Sequence, residues 1–168
     1  MKLLFQLILK HGFVPDSFGF GISIPLIKDK TGNLNDLDNY RAVTLSCVIS
    51  KLFEMVVLDI CNDVLSTDPL QFSFKTGTGC IYAIFTVKTT VQHFVNKGSS
   101  VFLASLDISK AFDKLNHYKL FSALLTAGIP VAIIDVLCDW YSKLHSAVRW
   151  NNVISNSFIA GSGVRQGG

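Results

Sequence analysis

The sequence has few charged residues and lacks any concentrated basic run. Only 16% of its 168 residues are Asp, Glu, Lys or Arg, and the net charge is +3 with the basic residues scattered along the chain. A charge this small allows a polyanionic partner without requiring one. The 49% hydrophobic content excludes an intrinsically disordered chain, because such chains combine low hydrophobicity with high net charge. We therefore expect a folded globular domain.

Cysteine and histidine patterns that bind metals are also missing. No C-x-x-C pair occurs, and the four histidines are dispersed, so the spacing typical of zinc sites is absent. The four cysteines are Cys47, Cys61, Cys80 and Cys138. We expect four reduced thiols in an intracellular protein, of the nucleus or the cytoplasm, where disulfides are rare.

No apolar run is long enough to span a membrane. The longest nearly uncharged stretch, residues 120–134, is shorter than the roughly 18 residues that a transmembrane candidate needs. The apolar N-terminus is interrupted by Gln6 and stops at Lys10, which favours an amphipathic helix over a signal peptide. We therefore expect no association with a membrane.

Turn-forming residues divide the rest of the chain into helices and strands. Apolar spacing predicts helices over residues 1–11, 48–65, 80–96, 117–127 and 130–144. Strands are predicted over residues 20–28, 41–46 and 101–106, with a short strand pair near 146–160. The intervening residues 29–39 are dense in Asp, Asn and Gly, which indicates that the first two strands form a hairpin with a polar tip. Pro25 inside the first strand indicates an edge strand or a bulge.

Asp107 is the first candidate for chemistry. It follows residues 101–106, whose nearly continuous apolar side chains predict a strand buried on both faces. A carboxylate at the end of such a strand suits a divalent cation, because Mg²⁺ prefers oxygen ligands. A second interpretation stays open, in which Asp107 only caps the turn that follows. We assign Asp113, six residues on, a structural role in ordering that turn.

Lys28 and Arg41 flank the polar loop of the predicted hairpin. Paired strands place both cations on one face, where a guanidinium fork and an ammonium group suit a triphosphate. The alternative is two solvated surface cations. The glycine-rich residues 163–168 are of the kind that lets a backbone approach a phosphate or a base closely, although a single such loop is weak support.

Four segments, in their order along the chain, resemble the reverse transcriptase domain of non-long-terminal-repeat (LINE-type) retrotransposons. They are residues 24–28 with 39–46, 49–54 with 70–75, 106–113 with 116–117, and 163–168. No segment is decisive alone, but the ordered set is specific. The resemblance implies an α+β fold that is part of a truncated right-hand polymerase. Residues of about 1–100 would form the fingers and connecting helices, and residues of about 101–168 the first part of the palm.

The resemblance implies a catalytic, metal-binding role for Asp107, which would bind Mg²⁺ together with the carbonyl of Ile108. The family carries two adjacent aspartates after the Gln-Gly-Gly segment, and no such pair occurs in this sequence. One aspartate does not position two metal ions. We therefore expect that this chain alone does not extend a primer.

The resemblance also implies contacts with the incoming deoxynucleoside triphosphate (dNTP). Arg41 and Lys28 would contact the triphosphate, and so would the backbone amides near Lys110 and Ala111. Without the resemblance, Phe112 is best interpreted as a core residue; the resemblance instead implies that it lies under the sugar and rejects a 2′-hydroxyl.

Gln166 and Gly167 would lie against the nucleotide and the template. The expected partners are an RNA template, a DNA primer and a dNTP. Two other functions stay open: a non-catalytic remnant that binds RNA or DNA, and an unrelated α/β interaction domain. The second of these requires four ordered segments to coincide by accident.

Overall fold

The computed structural model describes residues 1–166, and these divide into two compact units. The first unit comprises residues 1–65 together with the chain from residue 110 onward, and the second comprises residues 66–109. Helices and a small sheet occur together, so the expected α+β fold, consistent with part of a polymerase fingers and palm, is confirmed. This division does not test the expected boundary between fingers and palm near residue 100.

The first unit contains five α-helices in addition to its sheet. They are α1 (Lys2–His11), α2 (Asp16–Gly19), α3 (Val48–Cys61), α5 (His117–Thr126) and α6 (Val131–Ser142). The four longer helices lie where apolar spacing predicted them, but α3 ends earlier than expected, at Cys61. Helix α1 ends because Gly12 takes a left-handed conformation with φ 66°, in which its N–H donates to the Ile8 carbonyl at 2.9 Å.

The sheet of the first unit is built on the predicted hairpin. Its strands are β1 (Phe20–Ile27), β2 (Tyr40–Ser46), β3 (His145–Trp150), β4 (Val153–Ile154) and β5 (Phe158–Ile159). Strands β1 and β2 pair antiparallel, and β3 pairs parallel with the first half of β1. The strand order is β2-β1-β3-β4, with β5 also paired to β3.

Pro25 lies in a strand that is central for half its length. The parallel pairing of β1 with β3 runs from Phe20 to Ser23 and stops before Pro25. The prediction of an edge strand is therefore wrong for the first four residues of β1. It holds at Pro25 itself, where the missing N–H meets no third strand and disrupts no ladder.

An aromatic cluster forms the centre of the first unit. The rings of Phe18, Phe53 and Trp140 lie within 6.1 Å of one another, and the indole N–H of Trp140 donates to the Phe18 carbonyl at 2.9 Å. Val14 and Val136 are fully buried beside them. These residues come from α2, α3, α6 and the loop before α2, so the cluster joins elements that are far apart in the sequence.

The second unit contains one helix, α4 (Cys80–Asn96), which agrees with the predicted span. None of its residues is buried. Across residues 1–166, no helix combines the length with the apolar composition that crossing a bilayer requires.

The strand predicted over residues 101–106 is wrong. This segment has no regular secondary structure, and Phe102 and Leu106 are 94% and 97% exposed. A strand buried on both faces needs a hydrogen-bonded partner on each side. None of the strands described in residues 1–166 pairs with this segment. Its apolar composition is therefore not buried by a sheet.

Replacing Phe53 with Ala tests the aromatic cluster. Phe53 is 0% exposed, so we expect Phe53→Ala to lower the free energy of unfolding by about 3–5 kcal/mol, as for other large-to-small core changes. Phe102→Ala is the matched control and should change stability by less than about 0.5 kcal/mol. Urea denaturation followed by circular dichroism measures both. Equal losses would show that residues 101–106 are buried after all.

Candidate functional site

Asp107 and Ile108, the expected metal donors, lie in the exposed segment of the second unit. Both residues are exposed, and neither belongs to a helix or a strand. Nowhere in residues 1–166 do three His, Cys, Asp or Glu side chains come close enough together to hold a metal ion. One carboxylate and one carbonyl do not fill the octahedral shell of Mg²⁺. The described residues therefore do not fit a complete magnesium site.

Lys110 begins a turn at the start of the second segment of the first unit. Its φ is +56°, and its carbonyl accepts hydrogen bonds from the N–H groups of Asp113 and Lys114, both at 3.1 Å. The Lys110 ammonium lies 2.6 Å from the Asp38 carboxylate in the hairpin loop. That hydrogen bond raises the pKa of Lys110 and lowers the pKa of Asp38. Both side chains are exposed, so solvent screens the pair, which links the turn to the hairpin only loosely.

A loop of residues 162–166 holds this turn through the main chain. The N–H of Val164 donates to the Phe112 carbonyl at 2.8 Å, and the N–H of Gly163 donates to the Leu115 carbonyl at 2.8 Å. The Gly163 carbonyl lies 2.7 Å from Nε2 of His117. Phe112 is thus fixed by its backbone, while 40% of the residue remains accessible. Ala111 lies in the same turn and is exposed.

The same loop continues onto the outer strand of the sheet. The Thr44 N–H donates to the Gln166 carbonyl at 2.8 Å. The Lys28 N–H donates to the Asn39 carbonyl, so these two residues form a hydrogen-bonded pair. Hydrogen-bonded and non-hydrogen-bonded pairs alternate along an antiparallel ladder. The opposed pair Ser23 and Thr44, five positions further along, therefore exchanges no backbone hydrogen bonds. The N–H of Thr44 therefore points away from β1 and towards Gln166. Gly167, the other expected contact in this segment, lies outside the described residues.

Arg165 is a functional candidate that the sequence reasoning missed. Its guanidinium donates to the Phe18 carbonyl at 3.2 Å, to the His145 carbonyl at 3.3 Å and to the Gly19 carbonyl. Burial lowers the pKa of Arg165, although the nearby Glu54 carboxylate opposes this shift. The only signal in the sequence was a single Arg between Val164 and Gln166, and nothing local indicated that its side chain bonds to the carbonyls where β1 and β3 begin.

Glu54 and Tyr141 share a cavity of about 310 Å³ with Arg165. Although Glu54 as a whole residue is exposed, burial of its carboxyl raises its pKa, and Arg165 partly offsets this effect. Burial likewise raises the pKa of the Tyr141 phenol. The cavity lies within the first unit, and apolar side chains such as Leu137 and Leu144 line it together with these polar groups.

A hydroxyl cluster on the sheet is the second feature that sequence reasoning missed. The Ser23 hydroxyl lies 3.0 Å from the Thr44 hydroxyl and 2.8 Å from the Ser146 hydroxyl, and all three residues are buried. These side chains line a cleft of about 180 Å³ together with Gln166. The cluster could not be predicted because its members come from three strands whose pairing is not local.

Lys28 and Arg41 lie on one face of the hairpin. Arg41 is opposite Leu26, and Lys28 bonds to Asn39, so the period of two along each strand places both cations on the same side. Arg41 is exposed. The Lys28 ammonium donates to the Asp38 carbonyl at 2.8 Å, which places it at the hairpin tip. The first unit therefore contains every expected triphosphate contact, but their roles stay a prediction.

Comparison with known families gives one match that covers most of the chain. Residues 27–168 match the sequence model of the family described as reverse transcriptase (RNA-dependent DNA polymerase).

Curated proteins that are similar to this chain support the same family. The chain is 25% identical over 167 residues to the retrovirus-related Pol polyprotein from the type-2 retrotransposable element R2DM of Drosophila melanogaster, which covers 99% of this chain and 16% of that protein. It is 26% identical over 175 residues to the probable RNA-directed DNA polymerase from transposon BS of the same fly, covering 99% of this chain and 19% of that protein. It is 30% identical over 122 residues to the RNA-directed DNA polymerase from mobile element jockey, again from D. melanogaster, covering 70% of this chain and 13% of that protein. The chain thus spans less than a fifth of the length of these relatives.

Gly163→Ala tests the loop that joins the turn to the sheet. Gly163 has φ +81°, and a Cβ there would lie 2.8 Å from the Phe112 carbonyl oxygen and 2.9 Å from that of Asp113. We expect Gly163→Ala to destabilise the unit by more than about 1 kcal/mol and to speed amide exchange at Thr44. Gly161→Ala is the control, since nothing lies within 4 Å of its added Cβ. Exchange at Thr44 that is unchanged relative to Val43 and Leu45 would contradict the assignment.

Proposed function

Because the chain belongs to the reverse transcriptase family, we propose that it is the fingers and the beginning of the palm of an RNA-directed DNA polymerase from a non-long-terminal-repeat retrotransposon. Its partners would be an RNA template, a DNA primer and a dNTP. The location would be inside the cell, in the nucleus or the cytoplasm, and the unpaired state of all four cysteines supports this.

The loop of residues 162–166 is the observation that carries the proposal. It bonds through its main chain both to the turn that holds Phe112 and to β2, the strand that carries Arg41. Two segments that the family resemblance assigns to one nucleotide are thus joined by direct hydrogen bonds. An accidental collection of motifs has no reason to be joined in this way.

In this proposal two cations of the hairpin bind the triphosphate. Arg41 offers a planar guanidinium that bonds two oxygens at once, and Lys28 offers a point charge at the hairpin tip. Lys110 and Ala111 contribute backbone amides from the turn. The accessible ring of Phe112 lies under the sugar, where it disfavours a 2′-hydroxyl. Gln166, and Gly167 after it, contact the nucleotide and the template.

Asp107 would contribute a carboxylate, and Ile108 a carbonyl, to an Mg²⁺ site. Among residues 1–166, no three His, Cys, Asp or Glu side chains lie close enough together to complete such a site. The reaction of the family is attack of a primer 3′-hydroxyl on the α-phosphate of the dNTP, and its rate depends strongly on positioned charge.

The 168-residue chain should therefore give no primer extension. With an RNA template, a DNA primer, dNTPs and Mg²⁺, we expect no product above background, because one carboxylate leaves the metal ions without fixed positions. The assay is gel analysis of a labelled primer, with an active reverse transcriptase as the control reaction. A Mg²⁺-dependent product that disappears in Asp107→Asn would show that the chain holds a complete donor set.

Arg41→Gln tests triphosphate binding separately from catalysis. A hydrogen bond to a charged group contributes about 1.5–3 kcal/mol, so we expect this change to weaken dTTP binding about tenfold or more. Lys30→Gln is the matched control, because it removes an exposed cation from the same hairpin loop. Isothermal titration of dTTP into the chain bound to primer and template measures both variants.

Equal dTTP affinities for the two variants would remove Arg41 from the site. RNA binding that falls steeply with salt, together with no dTTP binding by the unaltered chain, would favour the non-catalytic remnant instead.

A further inference from the structure

Tyr40 and Trp150 form one side of an open cleft that none of the expected contacts uses. Their ring centroids lie 5.4 Å apart with an interplanar angle of 57°. The cleft has a volume of about 310 Å³, and its other lining residues are Ile24, Pro25, Ile27, Arg149 and Asn151. It lies between the end of the β1–β2 hairpin and the β3–β4 turn, entirely within the first unit.

The exposure of Trp150 is unusual within this molecule. The other tryptophan, Trp140, is 5% exposed and donates its indole N–H to a carbonyl, as buried indoles generally do. Trp150 is 52% exposed, and its indole N–H makes no hydrogen bond with residues 1–166. Its ring therefore offers an accessible aromatic face and an unused donor.

Both rings are held in place before any ligand arrives. The Tyr40 hydroxyl donates to the Leu34 carbonyl at 2.8 Å, which fixes the far end of that side chain. Trp150 pairs with Val153 on β4 across a two-residue turn in which Asn151 has φ +53°. A ligand that stacks here loses less free energy to ordering of the protein.

Arg149 gives the cleft a positive charge. It is exposed, and it forms no ion pair within the described part of the chain. An accessible aromatic face with a cation beside it complements a nucleic-acid base and the phosphate next to it. An apolar peptide segment has no negative group that would pair with the cation.

Tyr40, Pro25 and Ile27 of the cleft lie on the same sheet face as the hydroxyl cluster beside Gln166. Tyr40, Ala42 and Thr44 alternate onto one face of β2, and Thr44 bonds to Gln166. Thr44 is four residue steps along β2 from Tyr40, which is about 13 Å at the usual rise per residue. A strand of nucleic acid in contact with Gln166 is therefore within a few nucleotides of Trp150.

We propose that this cleft binds one unpaired base of single-stranded nucleic acid, stacked on Trp150 beside Tyr40, with a neighbouring phosphate at Arg149. This inference rests on the proposed function, because that function supplies a template strand near Gln166. It adds a stacking subsite beyond the nucleotide contacts described above.

The test is equilibrium binding of a fluorescein-labelled 12-nucleotide single-stranded RNA to the 168-residue chain. We expect Trp150→Ala to weaken binding about 5- to 150-fold, the usual range for loss of one stacked base, and Trp150→Phe to retain most of the affinity. Tyr118→Ala is the control, since Tyr118 is an exposed aromatic residue on α5, outside every site described.

Two further readouts separate stacking from a folding defect. Arg149→Gln should lower the slope of log affinity against log salt by about one, whereas Trp150→Ala should leave that slope unchanged. RNA should quench tryptophan fluorescence in the unaltered chain but not in Trp150→Phe, in which the buried Trp140 still reports an intact core.

Several outcomes would overturn the inference. If Trp150→Ala binds RNA as tightly as Tyr118→Ala does, the subsite does not exist, although Arg41-dependent dTTP binding would leave the proposed function standing. If the unaltered chain binds no RNA at low salt, the inference fails whether or not the chain binds dTTP. If Trp150→Ala abolishes self-association without changing RNA affinity, the occupant of the cleft is a second copy of the chain.

Discussion

The half-buried guanidinium of Arg165 determines where the candidate site lies on the sheet. A charged group buried without hydrogen bonds is costly, so its position is restricted to places with enough acceptors. Carbonyls of Phe18, Gly19 and His145 supply them, where β1 and β3 begin. The residues on either side of Arg165 therefore have little freedom: Val164 is directed to the turn at Phe112, and Gln166 is directed to β2.

Besides the Arg165 side chain, main-chain groups of the neighbouring loop residues fix the site. Val164, Gly163 and Gln166 bond through backbone groups, so their side chains do not hold the loop in place. The same separation occurs at Phe112, whose carbonyl is bonded while its ring remains accessible. Backbone groups thus give the position, and side chains are left to contact a ligand, which is the arrangement that preorganised sites require. Glycine occupies position 163 because a Cβ has no room there, so close to the backbone of the turn.

Local patterns in the sequence predicted the helices and the hairpin whose formation depends on residues close together in the chain. The hairpin of β1 and β2 followed from alternation and a turn-rich loop, and α4 followed from apolar spacing between Gly79 and Gly98. The strand predicted over residues 101–106 was wrong for the opposite reason, because an apolar run becomes a strand only if other strands pair with it. Arg165 and the Ser23 hydroxyl cluster also depend on partners more than 100 residues away, which no local pattern specifies. The expected roles of Asp107, Arg41 and Gln166 came from the family resemblance, and the structure shows their surroundings only.

The segment that ends at Asp107 has neither a paired strand nor a complete metal site, and both features depend on neighbouring groups. A strand needs a second strand to satisfy its backbone groups, and an Mg²⁺ site needs further oxygen donors to complete its shell. Among residues 1–166, no strand pairs with this segment, and no three His, Cys, Asp or Glu side chains lie close enough together to hold a metal ion. A neighbouring strand that carries carboxylates would supply both at once, since pairing fixes the backbone and thereby the direction of the Asp107 side chain. The nucleotide contacts do not need such a partner, because they are already joined within the first unit through Arg165 and its loop.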